Sequence, residues 1–248
     1  MNIEFSDDFA GWPPEQTIFP VGQAELQVLP GDHPLYLAER EAIAANWEKE
    51  IAANPALFDG RMVLHRKVSL TPEGFRSEGH VIPYSAFLWW RKQASRAGGI
   101  HVFGYPVLES SDGALIAIRM GEHTANPGLV YFACGSMEPE DIVDGHCDVD
   151  GNMRREVLEE TGLDLRQAET AEGYNVCRYR RAITLFRLFR FELTADEMIS
   201  RIERHIEVAE EKEIAAAVAI RSADRAAHPY HVAMLPVLDW YFGGGSGS

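Results

Sequence analysis

Residues 154–163 read RREVLEETGL, and the three glutamates of this stretch have the side chains and the spacing to hold a hard cation. A helix turns by about 100° per residue, so Glu159 and Glu160 would lie about 60° and about 40° to either side of Glu156. Such carboxylates repel each other by about 0.2–0.5 kcal/mol per pair, whereas a cation such as Mg²⁺ takes their oxygens as ligands. The opposite arc is predicted to be apolar and carries Met153, Val157 and Leu158.

The same charge pattern is also typical of an ordinary solvated helix face. Arg155 can pair with Glu159 at i,i+4, and Gly162 can end the helix as a C-cap. One arginine cannot neutralise three carboxylates, but an exposed helix tolerates that imbalance. The charge pattern alone therefore leaves the metal site and the solvated face both open.

The order of these residues resembles the second half of the Nudix box, the signature of the Nudix hydrolases. The family pattern is Arg-Glu-apolar-x-Glu-Glu-x-Gly-apolar, and residues 155–163 match every fixed position of it. The resemblance covers about residues 100–242. The segment NPALFDG at 54–60 and the Glu-Pro pair at 138–139 resemble, within the family, the enzymes that cleave UDP-sugars.

The resemblance implies a metal-dependent hydrolysis of a nucleoside diphosphate linked to another group, with a nucleotide sugar favoured. Water attacks one phosphorus atom, and Mg²⁺ (or Mn²⁺ in its place) offsets the charge that builds on the phosphoryl oxygens. Glu156, Glu159 and Glu160 would bind the metal. Arg155 would orient and partly neutralise these glutamates, and Gly162 would end the helix tightly.

The first half of the box departs from the family pattern, in which a glycine and then a glutamate precede the arginine. Counting back from Arg155 places Cys147 where the glutamate is expected. Gly135, which ends an apolar stretch, is predicted to be the structural glycine of the motif, and the loop after it is about six residues longer than the pattern. Four residues are candidates for the missing carboxylate: Glu138, Glu140, Asp141 and Asp148.

A later acidic segment offers one more carboxylate to the same site. Many members of the family add such a group, so the resemblance implies that Glu213 is a further metal ligand or the general base. Glu210 and Glu211 belong to the same segment. The alternative is a polar helix end with no role in catalysis.

Arg178, Arg180 and Arg181 form the basic cluster of the second half of the chain, and guanidinium groups can bind phosphate oxygens in pairs. We predict that they bind the substrate, and the alternative is the solvated side of a strand. Stacking on a base could come from aromatic residues that would otherwise be core: Trp89, Trp90, Tyr174 and Tyr179.

The order of strand and helix patterns predicts an α+β protein: a Nudix-like α/β/α sandwich with a mixed sheet, preceded by a smaller α+β extension. We place the extension at residues 1–97, the Nudix domain at 98–242 and a flexible tail of linker composition at 243–248. The extension would cap the substrate pocket or form a homodimer surface.

Several local patterns predict individual elements. A TPEG turn at 71–74 joins two strands, and Thr194 with Glu197 forms a capping box that starts a helix. Residues 179–193 read as one long strand, and residues 222–242 read as a final helix. Residues 214–220 fit either a buried strand or a helix end.

Composition limits the classes of partner. The net charge of −15 would repel nucleic acid, so the expected partner is a small nucleotide substrate. We expect no membrane partner, because no segment has the length of an apolar span, and the start of the chain does not read as a signal peptide. Three widely spaced cysteines favour a reducing, cytoplasmic setting. The alternative function is a Nudix-fold nucleotide-binding or regulatory module without activity.

Overall fold

The computed structural model describes residues 9–122, 124, 126–209 and 213–245, which form two β-sheets with helices packed against them. The α+β class predicted from the sequence is confirmed. The strands are β1 (Ile18–Val21), β2 (Gln23–Val28), β3 (Arg61–Thr71), β4 (Gly74–Pro83), β5 (His101–Glu109), β6 (Leu115–Met120), β7 (Val130–Tyr131), β8 (Ile142–Val143), β9 (His146–Cys147), β10 (Glu169–Thr170), β11 (Tyr174–Tyr179), β12 (Ala182–Arg190) and β13 (Ile214–Ile220).

The helices are α1 (Pro34–Ala38), α2 (Arg40–Ala53), α3 (Tyr84–Lys92), α4 (Val149–Thr161), α5 (Ala195–Val208) and α6 (Met234–Trp240). Two short 3₁₀ turns cover Pro139–Asp141 and Leu165–Gln167, and a π turn at Tyr241–Gly245 follows α6. None of the described helices is both long and apolar enough to cross a lipid bilayer.

The larger sheet is mixed, in the order β1-β11-β12-β5-β6-β13, with β7 paired to β6 and β10 paired to β12. Strands β12 and β5 run parallel along their full length, and the other pairs are antiparallel. Residues 214–220, which the sequence left as either a buried strand or a helix end, form strand β13 and pair with β6. This pairing makes β13 an outer strand of the sheet and places Ile214, at its start, opposite Met120 of β6.

Helices cover both faces of the larger sheet. On one face Met153 of α4 packs against Gly104 of β5. On the other face the ring of Trp240 in α6 lies 5.2 Å from that of Phe186 in β12. Because Phe186 is paired with the residue after Gly104, and successive side chains of a strand point to opposite faces, the sheet lies between the two helices.

The smaller sheet has the order β3-β4-β2-β9-β8. Its longest pair is the β3–β4 hairpin predicted from the TPEG turn, and that prediction is confirmed. A separate apolar cluster joins β3 and β4 to the helices before and after them, with Trp90 of α3 and Ile43 of α2 both buried. Residues 9–97 thus have apolar packing of their own.

The two sheets exchange strands across the predicted boundary at residue 97. Strand β1 leaves the N-terminal part and pairs with β11 in the larger sheet, whereas β8 and β9 leave the later part and join β2 in the smaller one. The two exchanged strands β8 and β9 are the extra length of the loop after Gly135. The division at residue 97 stays a prediction, and the sheets interlock across it.

Two predicted elements are wrong in extent. Residues 179–193 do not form one strand, because the chain turns at Arg180, whose φ is +55°, between β11 and β12. The final helix does not span 222–242: it begins at Met234, after an irregular segment that contains Pro229. The capping box of Thr194 and Glu197 is confirmed.

The predicted flexible tail, residues 243–248, lies only partly within the described chain. Residues 243–245 continue from α6 as part of the π turn. Residues 246–248 lie outside the described part of the chain. The flexibility predicted for 243–248 stays a prediction.

Buried histidines give the smaller sheet a defined response to acid. Burial, followed by the charge of His80, lowers the pKa of His33 to about 4, and burial, followed by the charge of His101, lowers the pKa of His65 to about 3. The unfolded chain protonates these side chains below about pH 6.5, and the folded chain does not. We expect the free energy of unfolding to fall from pH 7 to pH 4, by up to about 1.4 kcal/mol per pH unit and per histidine.

Urea denaturation at a series of pH values measures this dependence. His65→Gln should lower the slope of unfolding free energy against pH, whatever its effect on stability at pH 7. His228→Gln, outside the smaller sheet, is the matched control and should keep the wild-type slope. An unchanged slope for His65→Gln would contradict the assignment.

Candidate active site

Helix α4 carries the glutamates, and both of its ends are defined by side-chain or backbone geometry. The carboxylate of Asp148 caps the start by accepting from the N–H of Gly151 at 2.8 Å. Gly162 ends the helix with a φ of +70°, a conformation that favours glycine. The prediction that the helix ends at Gly162 agrees with this geometry.

The buried side of α4 differs in one position from the predicted apolar arc. Met153 and Val157 are fully buried, whereas Leu158, the third residue of the apolar arc, is 46% exposed. The helix packs where Gly104 offers no side chain, since a Cβ there would lie 3.0 Å from Cγ of Met153. This close approach presses one narrow strip of α4, without Leu158, onto β5.

Arg155 is the centre of an ionic network at the edge of α4. Its Nε and Nη2 donate to the two carboxylate oxygens of Asp141 at 3.2 and 2.9 Å. Its Nη2 lies 2.9 Å from Oε1 of Glu156, and its Nη1 donates to Glu159 at 3.0 Å. One guanidinium thus contacts three carboxylates, which matches the orienting role implied for Arg155.

Asp141 is the buried member of the four carboxylates considered for the missing position. It also accepts from the amide of Asn152 and from the N–H of Glu138, both at 2.9 Å. Glu140 is exposed, and Asp148 is used as the helix cap. Asp141 therefore holds Arg155 in place, and it is not among the residues that line the pocket described next.

Four carboxylates line a cavity of about 100 Å³, here called the acidic pocket. Helix α4 contributes Glu156, Glu159 and Glu160, and Glu213 arrives from the start of β13. Ile206, Ala209 and Ile214 form the apolar part of the wall. The four glutamates singled out from the sequence come together, whereas Glu210 and Glu211 lie outside the described residues.

The acidic pocket disfavours the ionised state of its own carboxylates. Burial, only partly offset by the charge of Arg155, raises the pKa of Glu156 to about 7. Burial and then the charges of Glu156 and Glu213 raise the pKa of Glu160 well above its usual range. Bringing a positive charge into the pocket would lower both pKa values.

The side chains have free donor capacity for a cation, although they are not arranged as a finished ligand set. In the described chain Oε2 of Glu160 is buried and has no hydrogen-bond partner. No group of three or more described His, Cys, Asp or Glu side chains converges closely enough to form a ready metal site. Arg155 forms ion pairs with the carboxylates of Glu156 and Glu159, so a bound cation would have to compete with the Arg155 guanidinium for these carboxylates. The donors, all carboxylate oxygens, suit Mg²⁺ or Mn²⁺.

Gly135 allows the carboxylate of Glu156 to lie against the main chain. A Cβ at Gly135 would lie 2.3 Å from Oε1 of Glu156, so no other residue fits without moving that carboxylate. The predicted structural role of Gly135 thus has a geometric reason. The glycine is needed for the close approach of Glu156, although its φ lies outside the left-handed region.

A second and larger cavity, of about 340 Å³, has Gly135 in its wall, and Gly135 lies against the carboxylate of Glu156 of the acidic pocket. We call it the aromatic cavity. Its wall includes aromatic rings from α3 and β5, two arginines, and a histidine from the segment between β13 and α6: Phe87, Trp90, Arg91, Arg96, Phe103 and His231. Its size lies within the usual range for small-molecule sites.

The predicted substrate-binding arginines have structural partners. Arg178 donates to Glu15 at 2.8 Å, Arg180 donates to the carbonyl of Ala94 at 2.9 Å, and Arg181 donates to the carbonyl of Gly99 at 2.7 Å. They are not among the residues that line the aromatic cavity. Their substrate-binding role stays a prediction.

The arginines that line the aromatic cavity, Arg91 and Arg96, were missed because no motif marks the end of α3 or the segment that follows it. Of the predicted stacking residues, Trp90 and Tyr179 lie at the cavity, Trp89 does not line it, and Tyr174 is hydrogen-bonded to Asp150 at 2.9 Å. The sequence signal that could have indicated this wall is the run FLWWRKQASRA, in which three aromatic residues are followed by two arginines.

No protein-family model and no curated protein matches the chain. Among solved structures, the MutT protein from Methanosarcina mazei Go1 is 14% identical with a TM-score of 0.40, over 59% of this chain and 96% of that one. The Nudix hydrolase RenU from M. smegmatis is 11% identical with a TM-score of 0.35, over 57% and 80%.

The Nudix domain of Shewanella oneidensis NrtR, solved with ADP ribose, is 13% identical with a TM-score of 0.37, over 62% of this chain and 94% of that one. Two of these three proteins carry the name of the family that residues 155–163 resemble. At such identities and TM-scores the likeness carries no conclusion about the activity of this chain.

The ion pair of Asp141 and Arg155 should make a measurable contribution to stability. Asp141→Asn leaves the Arg155 guanidinium without its bidentate partner, and we expect the free energy of unfolding to fall by roughly 3 kcal/mol. Asp164→Asn breaks an exposed pair with Arg166 and is the control, with little change expected. Urea denaturation at pH 7 compares the two, and equal effects would contradict the structural role of Asp141.

Proposed function

We propose that this protein is a Nudix hydrolase that cleaves the diphosphate of a nucleoside diphosphate linked to another group, with a divalent metal ion. The observation that supports this most is the acidic pocket: four carboxylates face one small space beside a ligand-sized cavity. A solvated acidic face, the alternative for α4, does not account for the burial of Glu156 or the unpartnered Oε2 of Glu160.

The carboxylates of Glu156, Glu159 and Glu160 would hold Mg²⁺, or Mn²⁺ in its place. When bound, the cation would offset the charge that develops on the phosphoryl oxygens and orient the attacking water. The same charge would replace the protons that burial and mutual repulsion favour on Glu156 and Glu160. It would also let a protein of net charge −15 bind an anionic substrate.

The residues of the chain would divide the remaining work between them. Arg155, held by Asp141, would fix the positions of Glu156 and Glu159 until a cation takes their carboxylates from it. Glu213, on a different element from the other three, would accept a proton from the attacking water or complete the ligand set. Gly135 would let Glu156 approach the main chain at the junction with the aromatic cavity.

The substrate class follows from the aromatic cavity. Its aromatic wall suits a base or a sugar face, and Gly135 in that wall lies against Glu156, so a diphosphate bound there would lie near the carboxylates. A nucleotide sugar satisfies both requirements, and ADP-ribose belongs to the same chemical class. We therefore favour nucleotide sugars over nucleoside triphosphates.

A second candidate function is a nucleotide-binding or regulatory module without activity. The specific observation in its favour concerns the first half of the box. Cys147 stands where the family pattern has a glutamate, and the buried carboxylate of Asp141 is already paired with Arg155. Such a module would bind the same ligands and release no product.

Turnover of a substrate panel separates the two functions. The panel contains UDP-glucose, UDP-glucuronate, ADP-ribose and a dinucleoside diphosphate, each with Mg²⁺ or Mn²⁺, and product release is followed by chromatography. We expect hydrolysis of at least one nucleotide sugar, and a loss of at least 100-fold in kcat for Glu159→Gln combined with Glu160→Gln. The exposed Glu203→Gln of α5 is the control and should keep full activity. Binding without product from the folded protein would favour the inactive module.

Gly135→Ala tests the close approach of Glu156 without touching a carboxylate. The new Cβ would displace the flexible end of Glu156, so we expect the melting temperature to change little and Mn²⁺ affinity, followed by electron paramagnetic resonance, to fall about tenfold. Gly60→Ala, where a Cβ meets side-chain atoms at an ordinary 3.6 Å, is the matched control. Unchanged Mn²⁺ affinity in Gly135→Ala would remove Glu156 from the metal site.

A further inference from the structure

Arg91 and Arg96 bring two positive charges to the wall of the aromatic cavity, and no described carboxylate pairs with either of them. In the described part of the chain neither guanidinium has a carboxylate within salt-bridge distance. Most of the other arginines in the described part of the chain form a salt bridge with a carboxylate, as Arg178 does with Glu15. A pair of unbalanced guanidinium groups beside a cavity is an arrangement that binds anions.

The chain holds this arginine pair in a defined position. Nε of Arg96 donates to the carbonyl of Arg91 at 3.1 Å, and the indole N–H of Trp90 donates to the carbonyl of Arg96 at 2.7 Å. The two guanidinium carbons lie 5.9 Å from ring centroids, that of Arg91 over Phe87 and that of Arg96 over Trp90. Arg96 has a φ of +49°, a conformation that costs free energy for a non-glycine residue.

Among the described residues, the surroundings of the two arginines are positively charged and hold no ionised histidine at pH 7. Burial, followed by the charges of Arg180 and Arg91, lowers the pKa of Arg96. Burial, followed by the charges of Arg91 and Arg96, lowers the pKa of His101 to about 3, so that this cavity residue is neutral at pH 7. None of the described residues that line the aromatic cavity is an Asp or a Glu.

We propose that Arg91 and Arg96 bind an anionic group of the substrate that is not part of the diphosphate to be cleaved. The preferred substrates are then nucleoside diphosphate derivatives that carry an additional phosphate or carboxylate. The two cavities divide the charges of such a substrate: its diphosphate requires a cation at the acidic pocket, and its further anion meets guanidinium groups directly. This inference rests on the proposed function for the identity of the diphosphate.

The arginines come from the N-terminal part of the chain and the acidic pocket from the later part. The helix that carries Arg91, α3, packs on β3 and β4 of the smaller sheet, while Gly135 and the glutamates belong to the elements around the larger sheet. The specificity of the reaction would therefore be set by residues outside the Nudix box.

Matched pairs of ligands test the proposal, with one member of each pair lacking the additional anion. Comparing the affinity for UDP-glucuronate with that for UDP-glucose tests an additional carboxylate. Comparing ADP-ribose 2′-phosphate with ADP-ribose tests an additional phosphate. Affinities are measured with Mg²⁺ by calorimetry on Glu160→Gln, whose slow turnover leaves the ligands intact. We expect the anionic member of at least one pair to bind at least tenfold more tightly.

Arg91→Met and Arg96→Met, each added to Glu160→Gln, should reduce that preference to less than threefold while the neutral member keeps its affinity within threefold. Exposed Arg201→Met of α5 is the control and should keep the preference. Circular dichroism checks the fold of each variant. If Arg96→Met unfolds, the proposal is tested by Arg91→Met together with the preference of Glu160→Gln itself for the anionic ligands.

Three results would overturn the proposal: equal affinity within both pairs, a preference that survives both arginine variants, or equal weakening of both members, which would place the arginines on the diphosphate itself. Wild-type turnover of the same ligands tests the proposed function separately. If the anionic ligands bind more tightly but the wild-type protein hydrolyses none of the ligands, the hydrolase function is rejected and the anion site is retained. If the ligands are hydrolysed but bind without preference, the hydrolase function is retained and the anion site is rejected.

Discussion

Mutual repulsion among four carboxylates is the constraint on which the rest of this structure depends. Glu156, Glu159, Glu160 and Glu213 line one small pocket, and burial makes their ionised forms costly. Arg155 is the cation of the chain that contacts Glu156 and Glu159, and it is itself fixed by the buried Asp141. The lengthened loop after Gly135 supplies Asp141, and so it serves the balance of charge as well as the connection between elements.

How much of the site could be predicted differs between residues for physical reasons. The three glutamates of α4 share a helix face because of helical spacing alone, and Gly162 ends the helix because its φ is +70°. The position of Glu213 depends on the pairing of β13 with β6, which joins residues far apart in the chain. Spacing could not show that, and Glu213 was suggested by resemblance.

What was not predicted also has local causes. Leu158 belongs to the apolar arc and is still exposed, because angle alone does not say how far the neighbouring sheet reaches around a helix. The break between β11 and β12 falls at Arg180, where no glycine or proline marks the turn. The arginine wall of the aromatic cavity was not predicted because Arg91 and Arg96 are brought to it by contacts between two sheets. The α+β class could be predicted because alternating strand and helix patterns do not depend on such contacts.

The pairing of β1 with β11 has a consequence for the order in which the molecule can be assembled. Ile18 pairs with Cys177, so the outer strand of the larger sheet closes a loop of about 160 residues. Strands β1 and β2 are separated by Gly22 alone and belong to different sheets. During synthesis β1 leaves the ribosome long before β11 and must wait for it, while its immediate neighbour β2 can already pair with β4. The chain is therefore expected to fold slowly at its N-terminal edge and to complete its larger sheet only after β11 has been synthesised.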